Sequence, residues 1–255
     1  MQHLLHAEHW LGTKRVIELS RIDPTRRVGG LDKRDYELVT QTPLFGDLDE
    51  ATVISLIKDG HVKIVERKTT LFVKGEPADR FYLILEGWVK LTRQSIEGSE
   101  SVISVFTKGE TFAEAAMFSQ DGYPVSASTV DDCRLLIVPA SSVFRAIRED
   151  SECALSMIAS VSRHMRGLIR QIEQLSVRSS TERLVSFLLS QCTEDAEEAT
   201  ISLPIEKALL AGRLGMQPET LSRSLSKLRS VGVQTVGNQV KIPDVPALKS
   251  AWSGK

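Results

Sequence analysis

The spacing of the hydrophobic positions changes along the chain, and the first regular stretch is typical of a β-sheet domain. Between residues 62 and 138 the apolar positions form short runs. These runs are separated by turn signals at four glycines, Gly75, Gly87, Gly98 and Gly109. Strand character is clearest in residues 81–91, 101–106, 125–130 and 134–138. About six to eight short strands at this spacing predict a jelly-roll-like β-barrel.

A heptad pattern follows the β-rich region. Seven apolar residues alternate by four and three positions: Ala154, Ile158, Val161, Met165, Leu168, Ile172 and Leu175. Branched or flexible residues occupy the a positions and leucine occupies two of the four d positions, which favours a parallel two-stranded coiled coil. The alternative is a helix buried against its own barrel, whose apolar stripe would be wider. The pattern predicts a long dimerisation helix and a homodimer.

Ser179 and Glu182 have the spacing of a capping box, so a new helix is predicted to begin here. The resulting boundary near residues 178–180 is the expected hinge. Upstream, residues 1–38 are polar and irregular, and residues 44–57 predict a short helix pair. The predicted α+β architecture therefore has four parts: an extension (1–38), a barrel sensor domain (39–147), the dimerisation helix (148–178) and a C-terminal winged helix-turn-helix (179–255).

Residues 204–232 have the pattern of a helix-turn-helix. Residues 205–210 predict a first short helix, Gly215 marks a sharp turn, and Pro218 is suited to the first position of a second helix. In the second helix Leu221, Leu225 and Leu228 form one apolar stripe. The following residues 233–236 and 239–242 predict two short strands around a Gly-Asn turn, which is the expected wing.

The positions off that apolar stripe carry side chains suited to reading DNA. The candidate set is Gln217, Glu219, Thr220, Ser222, Arg223 and Lys227. Arginine can bind guanine through two hydrogen bonds, and a carboxylate can accept one from cytosine. The alternative is a solvated charged face on an ordinary surface helix. The preceding helix, the turn and the wing favour DNA, and a two-fold dimer would place its recognition helices about 34 Å apart.

Composition and charge narrow the function further. The net charge is −1, but residues 205–229 hold five Lys or Arg and two Glu, which predicts a basic face toward phosphate. Three scattered cysteines do not have the spacing of an iron–sulfur site, so we expect small hydrophobic side chains that are buried or half-buried. The absence of an apolar run of about 20 residues and of a signal-peptide pattern predicts a cytoplasmic protein without a membrane partner. No motif for catalysis or a P-loop is present, which argues against an enzyme.

Residues 218–223, PETLSR, resemble the E-x-x-S-R signature of the CRP/FNR family of bacterial transcription regulators. The resemblance extends over about residues 39–245, and the order of barrel, helix and helix-turn-helix is similar to that family. It implies that Glu219, Ser222 and Arg223 read a TTGAT half-site twice, as an inverted repeat. It also implies a cyclic-nucleotide-binding-like barrel, with RNA polymerase as a partner if the protein is an activator.

The resemblance places the effector pocket of the family in residues 109–129. Glu114 matches the glutamate that meets the ribose in cAMP receptors, but Pro124 stands where those receptors have a phosphate-binding arginine. Leu168 and Ile169 replace the hydroxyls that contact the base. Because a phosphate would lose its charge-assisted hydrogen bonds, cAMP is not the expected ligand. The predicted pocket is apolar and includes Phe112 and Met117.

The sequences FAEA-x-MF and AGRL-x-x-QPET resemble the branch of dissimilatory nitrate respiration regulators, which sense nitric oxide through haem and activate denitrification genes. Two of the candidate ligand positions of that branch differ here, one being Arg213 in place of histidine. The remaining candidate ligands are His164, His3, His6 and His9. Haem is the leading candidate effector. Another small ligand, a redox change, the absence of an effector and a protein-binding module remain the alternatives.

Overall fold

The computed structural model describes residues 30–252 except 47, 95–99, 120, 151–152, 160–161, 163–164, 166–178, 194 and 205. The described part of the barrel contains eight strands. They are β1 (His61–Val65), β2 (Thr70–Phe72), β3 (Arg80–Glu86), β4 (Trp88–Gln94), β5 (Glu100–Thr107), β6 (Thr111–Phe112), β7 (Ser126–Thr129) and β8 (Cys133–Pro139). This number agrees with the predicted range.

The strands form two antiparallel four-stranded sheets. One sheet has the order β1-β8-β3-β6, and the other has the order β2-β7-β4-β5. The run predicted as 81–91 is divided into β3 and β4 at Gly87, whose φ is +95°. A Cβ at this position would lie 2.5 Å from the carbonyl oxygen of Asp132, so only glycine fits. The predicted jelly-roll-like barrel is confirmed.

Three helices share a cluster of buried residues with β3 and β8 of the first sheet: α1 (Lys33–Gln41), α2 (Glu50–Ile57) and α3 (Ala140–Glu149). The expectation of an irregular segment up to residue 38 is wrong for its described end, because Leu31 and Val39 are buried and Asp32 begins α1 with a capping box. The expected helix pair in residues 44–57 is also wrong. Among the described residues of this segment only α2 is helical, capped by Asp49, and residues 44–46 form a turn.

Residues 153–159, 162 and 165 are helical, and we refer to this helix as α4. Ile158 and Met165, both predicted a positions, are 63% and 57% exposed in the single chain. Ala154, a predicted d position, is half-buried. The other predicted interface residues, Val161, Leu168, Ile172 and Leu175, lie outside the described residues. The described a positions therefore do not pack onto the chain's own barrel.

The C-terminal unit begins at the predicted capping box. The Ser179 backbone N–H donates to Glu182 Oε2 at 2.5 Å, and the Glu182 N–H donates to Ser179 Oγ at 3.3 Å. The elements are α5 (Ser180–Ser190), β9 (Ala199–Ser202), α6 (Lys207–Arg213), α7 (Pro218–Leu228), β10 (Gln234–Val236), β11 (Gln239–Ile242) and α8 (Val245–Trp252). The sheet order is β10-β11-β9. Strand β9 and helix α8 were not predicted, and α6 begins later than the predicted first helix.

One cluster of buried residues joins the barrel to the C-terminal unit. Trp88, Val105 and Val130 of the barrel pack with the core of α5, α6 and α7. Trp88 is 2% exposed, and its indole Nε1 donates to the carbonyl oxygen of Ser202 at 3.1 Å. Its ring centroid lies 5.9 Å from that of Phe187. The barrel and the helix-turn-helix therefore share a continuous apolar contact.

Candidate nucleic-acid interface and effector pocket

Helix α7 is held against the unit by the predicted leucine stripe. Leu221, Leu225 and Leu228 are all buried. Pro218 is the first residue of the helix, and Gly215 in the preceding turn has a φ of +61°. Because this left-handed conformation strains residues with a Cβ, the glycine permits the sharp turn between α6 and α7. The helix-turn-helix geometry follows directly from these positions.

The side chains predicted to read DNA lie on the opposite face of α7. Gln217, Glu219, Ser222, Arg223 and Lys227 are exposed, and Thr220 is half-buried. Gln217 is the N-cap, and Glu219 lies in the first turn. These polar side chains thus lie along one solvent-facing side of the helix, from the N-cap Gln217 to Lys227 in the last turn. That surface could present both donors and acceptors to base edges.

The wing has the predicted Gly-Asn turn. Strands β10 and β11 pair with Val236 opposite Gln239, and Gly237 in the turn has a φ of +61°. The backbone N–H of Leu203 donates to the Asn238 carbonyl at 2.7 Å, which attaches the turn to the segment after β9. The wing is therefore supported by a third strand that the sequence analysis missed.

Arg213 was expected to contribute to the basic face of residues 205–229, but its side chain points toward the barrel. Its Nη1 and Nη2 donate to Glu110 Oε2 and Oε1 at 2.9 and 2.5 Å. Nη1 also donates to the Val105 carbonyl, and the guanidinium lies 5.7 Å from the centroid of the Phe187 ring. Glu110 in turn accepts from the Thr107 backbone N–H at 2.9 Å. The expectation that Arg213 faces phosphate is therefore wrong. Its charge lies in a contact between the barrel and α6.

A second set of contacts joins α5 to the helix-turn-helix. Arg183 Nε donates to the Leu214 carbonyl at 2.8 Å, and its Nη2 donates to the Gly215 carbonyl at 3.2 Å. Thr181 Oγ1 donates to Ser224 Oγ at 3.3 Å, and both of these side chains are buried. Sequence reasoning located the first turn of α5 from its capping box. It gave no signal of the partners, because they lie more than 30 positions away.

The described residues of the predicted effector pocket lie in two different clusters. Phe112 is buried inside the barrel, where its ring stacks on Tyr82 with centroids 4.9 Å apart. Met117 is buried with the residues of α1, α2 and α3. Glu114, which lies between these two residues in the sequence, is half-buried. Leu168 and Ile169 lie outside the described residues. The structure therefore does not gather Phe112 and Met117 into one apolar cluster.

The barrel interior beside Phe112 is rich in aromatic side chains. Phe72 stacks on Tyr123 with ring centroids 3.7 Å apart, and the Tyr123 hydroxyl donates to the Arg80 carbonyl at 2.8 Å. Burial raises the pKa of Tyr82 and of Tyr123. Both phenols therefore remain neutral over the physiological range. Pro124, at the position where cAMP receptors have an arginine, is exposed.

The cysteines and histidines offer limited ligand chemistry. Cys133 and Cys153 are buried and Cys192 is half-buried, as the sequence predicted, and all three are free thiols. In the described ranges, no cluster of three or more His, Cys, Asp or Glu side chains could hold a metal ion. His61 is exposed on β1, whereas His3, His6, His9 and His164 lie outside the described residues. None of the described helices is long and apolar enough to cross a membrane.

Two protein families match the two units. Residues 62–150 match the cyclic nucleotide-binding domain, and residues 182–251 match the Crp-like helix-turn-helix domain. A global nitrogen regulator of Nostoc sp. is 31% identical over 176 residues, which cover 66% of this chain and 78% of that protein.

Solved structures agree with this assignment of the two units. A putative cyclic nucleotide binding protein from Ruegeria pomeroyi is 36% identical, with a TM-score of 0.79, over 86% of this chain and 97% of that one. DNR from Pseudomonas aeruginosa is 29% identical, with a TM-score of 0.53, over 86% and 98% of the two chains. The likeness extends over both units of the fold.

Proposed function

Because the chain belongs to the CRP/FNR family of transcription regulators, we propose that it is a homodimer that reads a TTGAT-type inverted repeat in double-stranded DNA. The observation that carries this proposal is the exposed polar face of α7, with Glu219, Ser222 and Arg223 on adjacent turns. Arg223 is suited to guanine, Glu219 to cytosine, and Ser222 to a base or phosphate. RNA polymerase is the further partner proposed if the protein activates transcription.

The exposed apolar residues of α4 support the homodimer. Three apolar side chains of this helix are more than half exposed: Leu155, Ile158 and Met165. Ile158 and Met165 are seven positions apart, which is the repeat that a coiled-coil partner covers. A second copy would bury these side chains and present two α7 helices to successive major grooves.

Fluorescence anisotropy with full-length protein tests the DNA proposal. One labelled duplex carries the TTGAT inverted repeat, and a second has the same composition in scrambled order. We expect the repeat to bind at least 100-fold more tightly, since specific sites exceed non-specific ones by about 10³–10⁷. Equal affinity for the two duplexes would show that this is not the sequence that α7 reads.

For the effector we propose haem and a response to nitric oxide or redox state, in common with the branch that the FAEA-x-MF sequence resembles. The likeness to DNR supports this proposal, and the absence of a cation at Pro124 disfavours a cyclic phosphate. The described barrel supplies apolar side chains around Phe112, and the one histidine among the described residues, His61, is exposed on β1. The described residues alone therefore do not complete a haem site, and the proposed ligands are His164, His3, His6 or His9.

An absorption spectrum tests this proposal. Purified protein is mixed with one equivalent of ferrous haem and measured before and after addition of nitric oxide, and parallel samples receive cAMP in a calorimeter. We expect a sharp Soret band that shifts with nitric oxide, and no heat of cAMP binding. A spectrum identical to that of free haem would eliminate haem, and a cAMP signal would favour the alternative of a different small ligand.

The proposed regulation is a coupling between the barrel and the helix-turn-helix. An effector changes the contact between barrel and dimerisation helix, which repositions the DNA-binding units about the hinge near Ser179. The contact of Glu110 with Arg213 and the burial of Trp88 support this coupling, because both join the barrel to the C-terminal unit directly. If haem-loaded and haem-free dimers bound the repeat equally, the coupling proposal would be wrong.

A further inference from the structure

The first turn of α5 contacts both the turn of the helix-turn-helix and the helix that follows it. Arg183 donates to two successive carbonyl oxygens of the turn, those of Leu214 and Gly215. Two positions before Arg183, the Thr181 hydroxyl donates to Ser224 Oγ in the middle of α7. Two side chains from a single helical turn are therefore attached to two different parts of the DNA-reading motif.

The contact of Arg183 has a clear physical basis. The last carbonyl groups of a helix have no partner within the helix and carry its partial negative charge. Leu214 is the C-cap of α6, and Gly215 is the next residue in the turn. A guanidinium can donate to both oxygens at once because its N–H groups form a rigid planar fork. This interaction fixes the orientation of two consecutive peptide groups.

Those two peptide groups decide the direction of α7. Only three residues, 215–217, lie between the C-cap Leu214 and the first residue of α7, Pro218. Gly215 is in the left-handed region, and a Cβ added there would meet no atom within 4 Å. The turn also makes its own backbone hydrogen bonds, since the N–H groups of Gly215 and Met216 donate to the Gly212 and Ala211 carbonyls at 3.1 and 2.9 Å. The hydrogen bonds from Arg183 add a constraint from outside the motif, which links the turn to α5.

We propose that Arg183 and Thr181 are positioning residues that fix the angle of α7 for sequence-specific DNA reading. This inference rests on the proposed DNA-binding function and deepens it. α5 is the first element after the proposed hinge, so a displacement that arrives at Ser179 passes through this turn. With both contacts in place, α5 and α7 move as one body, and Glu219 and Arg223 keep their orientation relative to α5 and to the groove.

The test compares full-length Arg183→Met and Arg183→Lys with wild type. We expect Arg183→Met to lower the ratio of affinities for the TTGAT repeat and the scrambled duplex by at least tenfold. The affinity ratio of Arg183→Lys should lie between those of wild type and Arg183→Met, since an ammonium group keeps the charge but lacks the planar fork. Arg145→Met is the matched control: it removes an arginine paired with Asp59 on the barrel, and its ratio should equal that of wild type.

Hydrogen exchange measured by mass spectrometry provides a readout that does not depend on DNA. Arg183→Met should speed exchange in residues 214–220 by about tenfold while exchange in the barrel is unchanged. Thr181→Val should have a similar effect on α7, and Thr181→Ser, which keeps the hydroxyl, should behave as wild type. Thermal melting confirms that each variant is folded.

The two readouts separate the possible failures. If wild type prefers neither duplex, the proposed DNA site is wrong, and exchange in residues 214–220 alone decides whether Arg183 fixes the turn. If wild type is specific but Arg183→Met keeps its affinity ratio within twofold, the positioning role is refuted. Unchanged exchange in residues 214–220 would refute it as well.

Discussion

Arg213 on the first helix of the helix-turn-helix binds Glu110 of the barrel through both carboxylate oxygens, at 2.5 and 2.9 Å. The two side chains are 23% and 32% exposed. The pair is separated by more than 100 residues in sequence, and it joins the turn before β6 to α6. The contact therefore joins the barrel directly to the helix-turn-helix.

We expect a double-mutant cycle with Glu110→Gln and Arg213→Met to give a coupling free energy of about 1 kcal/mol, since the pair is bidentate and only partly exposed. Urea unfolding of the four proteins measures this value. Lys90→Met, which removes an ion pair with Glu100 within the barrel, is the control and should show no coupling to Arg213→Met. A coupling near zero would mean that the Arg213–Glu110 contact does not stabilise the docked arrangement.

Arg223→Ala should weaken binding to the TTGAT repeat by about 1–3 kcal/mol, or about 5- to 150-fold, because it removes a two-donor contact to a base. Binding to the scrambled duplex should fall much less. Arg229→Ala is the matched control, since it removes the same charge at the C-terminal end of α7 and should weaken both duplexes alike. Anisotropy titrations at fixed salt distinguish the two patterns, and equal losses for both duplexes in Arg223→Ala would contradict base reading.

Ile158→Glu should weaken the dimer by on the order of 100-fold, because each chain would bring a carboxylate into an apolar seam. Sedimentation equilibrium measures the dissociation constant. Ile64→Glu provides the control: Ile64 is 75% exposed on β1, so the same substitution there should leave the dimer intact. A dimer that tolerates Ile158→Glu would place the interface elsewhere.

The stability of the fold should fall at alkaline pH through Cys133. Burial raises the pKa of its thiol from 9.0 to about 11. An acid with a raised pKa in the folded state loses its stabilising contribution as pH rises, because the unfolded state ionises first. Between pH 9 and 11 this loss amounts to about 2 kcal/mol.

Cys133→Ala removes that ionisation, so the difference in unfolding free energy between wild type and variant should shrink as pH rises from 8 to 10.5. Urea unfolding at the two pH values measures this change. Tyr82 and Tyr123, whose pKa values are also raised, contribute equally to both proteins and cancel in the comparison. A constant difference between the two proteins would show that Cys133 ionises with an unshifted pKa.

The chemistry of local patterns determined much of the architecture. The capping box at Ser179, the turn at Gly215 and the stripe of Leu221, Leu225 and Leu228 each depend on residues within about one to three helical turns. Such interactions can be read along the chain, and the structure has all three. The sequence was less informative about α1. Its low apolar content gave no helical pattern, because the helix is stabilised by the burial of only a few side chains, such as Leu31 and Val39.

Only the tertiary structure decided which charged side chains face solvent and which face the protein. The sequence places both Arg213 and Arg223 in the basic segment 205–229, yet the structure half-buries Arg213 against Glu110 and exposes Arg223. The same holds for Arg183, whose two carbonyl partners lie 31 and 32 residues away. A local sequence pattern records the period of an element and its apolar face, but the partner of a long polar side chain depends on how distant elements pack.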